Sequence, residues 1–74
     1  MFVIHITDGT GYSYFIGNGG SYQFQGEKYA VVVESESEAK KYKSFKIAHN
    51  AYNKLNNSCC NVVGHVNIYA VKEG

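Results

Sequence analysis

Residues 34–56, ESESEAKKYKSFKIAHNAYNKLN, form the only stretch of the 74-residue chain with sustained helical spacing. Everything on either side reads as strand and turn, so this stretch decides how the domain is built. Ser35-Glu36-Ser37-Glu38 has the form of a capping box, in which the Ser35 hydroxyl accepts from the Glu38 amide and the Glu38 carboxylate reaches back. Glu36 and Glu38 place negative charge in a first turn, and Lys40, Lys41 and Lys43 collect further along, as a helix dipole favours. The apolar positions Ala39, Tyr42, Phe45 and Ala48 are three apart, so on an unbroken helix each step rotates the set by about 60°. No single stripe survives that drift. A break at Lys43-Ser44 repairs it: Ser44 becomes a second N-cap, and Phe45, Ala48, Ala51, Tyr52 and Leu55 share one apolar face. The stretch therefore predicts two short helices, with a single kinked helix over 36–56 as the alternative. Ile47 fits neither face well.

Outward from the helices the pattern has period two. Phe2, Ile4 and Ile6 alternate with Val3, His5 and Thr7, which predicts a strand. Asp8-Gly9 has turn chemistry, and Tyr12–Ile16 follows as a second strand, paired with the first as a hairpin. Gly17-Asn18-Gly19-Gly20 reads as a loop, and Ser21–Gln25 as weak strand. Lys28–Val33, with Tyr29, Val31 and Val33 on one face, reads as a buried central strand. Beyond the helices, Asn56-Asn57-Ser58 reads as loop and Val62–Val71 as the last strand, with Val66, Ile68 and Ala70 inward. Gly64 marks a candidate bulge, and Lys72-Glu73-Gly74 a frayed tail. The expected order is β-β-(β)-β-α-α-β in one domain spanning 1–74: an α+β fold with a mostly antiparallel sheet of four to five strands and two short helices on one face.

Composition narrows the function classes. Seven lysines oppose six acidic residues, and arginine is absent. That balance gives no pull toward membranes or nucleic acid, and the usual bidentate reader of guanine and phosphate is missing, which argues against sequence-specific DNA binding. No apolar run approaches the roughly 20 residues of a membrane span, and the N-terminus lacks the pattern of a signal peptide. A cytoplasmic location is the expectation. A chain this short hides only about 60% of its unfolded surface, so self-association is a common route to added stability.

The residues that carry chemistry do not assemble into a catalytic or metal set by spacing. Cys59-Cys60 are adjacent, whereas metal and redox pairs need intervening residues for two sulfurs to converge. They read as one buried and one exposed thiol. His5 and His65 both fall on outward sides of their strands and face each other only if the first and last strands are neighbours. Gly17, Asn18, Gly19 and Gly20 make a candidate anion loop of backbone amides, although the Lys-Ser/Thr ending of a phosphate loop is missing. Lys40, Lys43 and Lys46 read as a solvated face or as a surface for an acidic partner. No catalytic, cofactor-binding or metal-ligating residue is expected, and no cofactor.

Aromatic content is the strongest functional signal. Seven tyrosines and four phenylalanines exceed what two short helices can cover. Tyrosine suits binding surfaces, because it offers large area, a hydroxyl and few torsions to freeze. The expected open sheet face bears His5, Phe15, His65, Asn67 and Tyr69, with Lys40, Lys43 and Lys46 nearby. It would stack a nucleotide, close a homodimer or dock on another protein.

Three segments carry a resemblance: Tyr14–Gly17 (Y-x-I-G, with Phe15 in the free position), Glu38–Ser44 (E-A-K-K-Y-K-S) and Ala48–Leu55 (A-x-x-A-x-x-K-L). With them the chain resembles small uncharacterised proteins of bacteriophages and prophages of low-GC bacteria, a group that includes host-defence inhibitors. The resemblance implies a viral, non-enzymatic inhibitor of a host protein, such as a defence nuclease or effector, acting by direct contact in the manner of anti-CRISPR proteins. It implies, as an alternative ranked after that one, an oligomeric sponge for a nucleotide immune signal or, as a third reading, a structural or interaction module of a phage. Its shared motifs are a strand, a cap and an apolar stripe, so it transfers no catalytic residue.

Overall fold

The computed structural model describes residues 1–72; Glu73 and Gly74, read above as tail, lie outside the described residues. Four strands, β1 (Phe2–Thr7), β2 (Ser13–Phe24), β3 (Glu27–Val33) and β4 (His65–Ala70), form one antiparallel sheet in the order β3-β2-β1-β4. One helix, α1 (Phe45–Ser58), packs on one face. The fold is α+β, as the alternation and the helical stretch imply, but with four strands and a single helix. No helix among the described residues is long and apolar enough to cross a membrane.

The β1–β2 hairpin closes as the sequence reads. Asp8 Oδ1 accepts from the Thr10 amide at 2.8 Å, the Thr10 hydroxyl at 2.6 Å and the Tyr12 amide at 3.2 Å. These bonds to the charged form, the Thr10 hydroxyl first, hold the Asp8 carboxyl below its ordinary range. The β2–β3 hairpin turns on Gln25 and Gly26, both at positive φ, 51° and 81°. A two-residue turn with both centres left-handed matches the twist of its strands.

The core lies between the sheet and α1. Ile4 and Ile6 of β1, Tyr14 and Ile16 of β2 and Ala30 of β3 pack with Ala48, Cys59 and Val62, flanked by the half-buried Tyr52, Leu55, Val66 and Ile68. The second helix boundary is where the pattern places it: Ser44 Oγ accepts from the Ile47 amide at 3.2 Å and caps α1. Phe45 stays half exposed, edge-on to the Phe2 ring at 6.3 Å.

The first helix is not formed. Glu36–Glu38 make only a three-residue 3-10 turn, and Ser35 does not cap it, bonding instead to the Ser37 hydroxyl at 2.8 Å. The physical reason lies in the next four residues. β1 and β2 pair only from Thr7↔Ser13 to His5↔Phe15. Beyond that they part, and Ala39–Tyr42 fill the gap. The Lys40 amide donates to the Ile16 carbonyl at 2.9 Å, Ala39 bridges Gly17, and Phe2 and Tyr42 exchange both backbone bonds at 2.7 and 2.8 Å. Amides committed to the sheet cannot serve a helix. The Glu36 carboxylate bonds Tyr69 on the face away from α1, whereas the Tyr42 ring belongs to the core beneath α1. Residues 36–42 are thus a strap that passes from one face of the sheet to the other. Lys41 fastens it by donating to the carbonyls of Glu36 and Ala39 at 3.0 and 2.9 Å.

Four other expectations are corrected. Gly17–Gly20 are no loop: β2 is one 12-residue strand with its register shifted between Ile16 and Ser21. Lys28–Val33 lie in an edge strand, not a central one, and Ala30, not Tyr29 or Val31, points into the core. Asn56–Ser58 continue the helix, with the Ser58 hydroxyl donating to the Lys54 carbonyl at 2.7 Å. The last strand is His65–Ala70 and shorter than read. Gly64 crosses over the end of β1, at φ 117° and with its missing Cβ 2.3 Å from the Thr7 carbonyl oxygen. A side chain has neither the space nor the backbone conformation there.

Candidate functional site

The face of the sheet away from α1 collects the aromatic side chains that the core does not use. Its geometry follows from the irregularity in β2. Ile16 lies opposite Val32 and Ser21 opposite Ala30, so four residues of β2 stand against Val31 alone. Three extra residues are an odd number, and side chains alternate faces along a strand. Before the bulge, Tyr14 and Ile16 look toward α1. After it, Tyr22 and Phe24 look the other way, joining Tyr29, Val31 and Val33 of β3. The glycines make this fold-over fit. A Cβ on Gly17 would stand 2.9 Å from Val33 Cγ1, and Gly19 sits at φ 107° close to Val31.

Two aromatic groups result. Near the middle of the sheet His5 lies 4.7 Å from Phe15, centroid to centroid, and 6.3 Å from Tyr69 with the two rings nearly parallel. All three are half-buried. The Tyr69 hydroxyl donates to Glu36 Oε2 at 2.8 Å. Burial first, and then that carboxylate, push the Tyr69 phenol up to about 12. On the β2–β3 arm, Tyr22 stacks on Tyr29 at 5.7 Å and 19°. Tyr22 is 52% exposed and Phe24 58%. Tyr12, beside the arm's base, is also exposed and donates to Glu34 at 3.1 Å.

The residues expected from the sequence are only partly brought together. His5, Phe15, Asn67 and Tyr69 share the open face, and Asn67 lies opposite His5. His65 is on the same side of β4 but pairs with Thr7, so the two histidines are not across from each other. Lys43 and Lys46 are exposed at the start of α1. Lys40 is half-buried, with its ammonium 5.4 Å above the Tyr42 ring. Tyr22, Phe24 and Tyr29 stand out only in the structure as a group. The signal for them was present in the glycine run between two alternating segments, because an odd insertion reverses which face the second segment shows.

Gly17 and Gly20 meet lysines after all, though not as a loop. A cleft of about 170 Å³ between β2 and α1 is lined by these two glycines, Lys40, Lys54, Tyr42 and Leu55 among others, and its lining contains no carboxylate. Cys59 is a buried thiol and Cys60 an exposed one. Among the described residues no three of His, Cys, Asp and Glu are grouped as a metal site. No protein-family model, no curated protein and no solved structure matches this chain.

Proposed function

We propose that this chain is a non-catalytic binding protein that docks on another protein through the sheet face away from α1. The observation that carries the reading is the arm: Tyr22 and Phe24 are each more than half exposed, side by side with Tyr29, on a face that no helix covers. Exposed aromatics grouped on a two-stranded platform cost little torsional entropy on docking and bury large area. The Tyr69–His5–Phe15 row continues the same face toward β4 and supplies a half-buried floor. The partner, following the resemblance to phage and prophage proteins, is a host protein such as a defence nuclease or effector, and the outcome of docking is its inhibition.

A pull-down with immobilised protein from infected-cell lysate tests this reading when run beside the double variant Tyr22→Ala/Phe24→Ala and the control Phe45→Ala. The double variant should lose at least tenfold of the captured partner, with its melting temperature within a few degrees of the parent, while Phe45→Ala retains it. Equal capture by all three proteins would overturn the arm as the docking surface.

A second reading, sequestration of a nucleotide, is favoured by one arrangement: Gly17 and Gly20 of the bulge and two lysines, Lys40 and Lys54, line the cleft at Tyr42. At about 170 Å³ the cleft is smaller than the roughly 300 Å³ at which ligand pockets usually begin. It accommodates a phosphate or a single ring, so a whole nucleotide needs a second copy to complete its site. A nucleotide-dependent rise in melting temperature, lost in Lys40→Ala/Lys54→Ala, is the expected signature.

A further inference from the structure

The two edges of the sheet are treated differently. At β3 the edge is sealed by the chain that follows α1. The Cys60 amide donates to the Lys28 carbonyl at 2.9 Å, and the Asn61 side chain takes both main-chain groups of Ala30, accepting from its N–H at 2.8 Å and donating to its C=O at 3.1 Å. Asn61 stands in for a neighbouring strand, and its own carbonyl is anchored by the Tyr14 hydroxyl at 2.7 Å. At β4 nothing equivalent exists among the described residues. The Val71 amide donates to the Met1 carbonyl at 2.8 Å. With Val3↔Tyr69 and His5↔Asn67 in register, the residues bonded toward β1 are His65, Asn67, Tyr69 and Val71. The N–H and C=O of Val66, Ile68 and Ala70 therefore point out of the sheet.

That outer edge carries none of the devices that normally keep strands from pairing: His65–Ala70 contains no Lys, Glu, Asp or Pro and no bulge. It is also self-complementary. In only one two-fold antiparallel register do all three outward residues find partners among themselves: Ile68 against Ile68 of the second copy, and Val66 against Ala70. We propose that β4 pairs with β4 of a second copy of this chain in that register, joining two sheets into one with both helices on the same face. Ile68, half-buried at the rim of the core, then meets its own counterpart across the axis, Val66 meets Ala70, and Asn67 lies against Tyr69 on the other face. The occupant is a second copy because the edge is matched to itself in main chain and side chain alike. A contact of one strand is small beside standard interfaces, so the dimer dissociates on dilution.

Analytical ultracentrifugation and native mass spectrometry over a concentration series, with hydrogen exchange at both ends of it, test the inference. A monomer–dimer equilibrium is expected in which the amides of Val66, Ile68 and Ala70 gain protection with concentration, while those of Asn67 and Tyr69 are protected throughout. Ala70→Pro removes an amide that the monomer leaves unbonded and should weaken self-association at least tenfold at unchanged melting temperature. Asn67→Lys places charge on the exposed edge and should do the same should the proline variant fail to fold. A monomer at every concentration, or a dimer in which these three amides exchange as in the monomer, overturns the proposal. Either result leaves docking through the β2–β3 arm untouched.

Discussion

β2 contains two aromatic segments of the same strand, and they meet opposite fates. Tyr14 and Ile16 are 7% and 1% exposed, while Tyr22 and Phe24 are more than half exposed. Local pattern does not say which face either presents: Tyr14, Phe15 and Ile16 are consecutive large side chains, and Tyr22 and Phe24 alternate with polar ones. The difference is made by Gly17–Gly20, which insert three residues against Val31 and reverse the faces. One half of the strand is thereby core and the other half surface, without a loop between them. The helix covers only the first half, so the second is left as the arm.

The comparison can be broken most sharply at its buried end. Ile16→Ala should cost about 2–5 kcal/mol, the usual range for a large-to-small change in a packed core, whereas Phe24→Ala on the arm should cost under about 0.5 kcal/mol. Urea denaturation of both variants reads the contrast directly, and equal losses would mean that the arm is packed as tightly as the core. Gly17→Ala acts on the bulge itself. Its new methyl would stand 2.9 Å from Val33 Cγ1, and valine has little rotamer freedom to yield, so a loss of about 1–3 kcal/mol is expected. Tyr14→Phe and Tyr22→Phe form a finer pair. The first removes the 2.7 Å bond to the Asn61 carbonyl and should cost about 0.5–1.5 kcal/mol. The second should be neutral within the error of the midpoint.

The smallest expected effect concerns pH. The Tyr69 phenol, pushed up to about 12 from an ordinary value near 10 by burial and by Glu36, holds its proton more tightly in the folded chain than in the unfolded one. Its contribution is fully present below about pH 10 and is lost as pH rises through about 12. Stability should therefore fall less steeply across that window in Tyr69→Phe than in the parent. Parallel slopes would mean that Tyr69 is not held against Glu36 in solution.

Much of this was legible in the chain. The Phe2–Thr7 alternation, the Asp8-Gly9 turn and the Ser44 cap with its Phe45-Ala48-Ala51-Tyr52-Leu55 stripe each rest on contacts within a few residues, and each is realised where the pattern puts it save for Phe45, which is 51% exposed. The Ser35–Glu38 capping box was equally well written and did not form. Its competitor, the gap between β1 and β2 that Ala39–Tyr42 fill, is bordered by residues far away in sequence and is invisible to local pattern. The candidate site divides the same way. His5, Phe15 and Tyr69 were recognisable as one face by alternation, whereas Tyr22 and Phe24 joined them only through the parity of the bulge.

Local sequence thus determined an α+β domain, its hairpin, its one true helix and a surplus of aromatic rings, because alternation, capping and turn chemistry act between near neighbours. Tertiary structure alone decided that residues 36–42 serve as a strap through the sheet, that Asn61 seals the β3 edge while β4 stays open, and which tyrosines face water. Those outcomes depend on main-chain groups competing for partners distant in the chain, and an amide can be bonded in only one place.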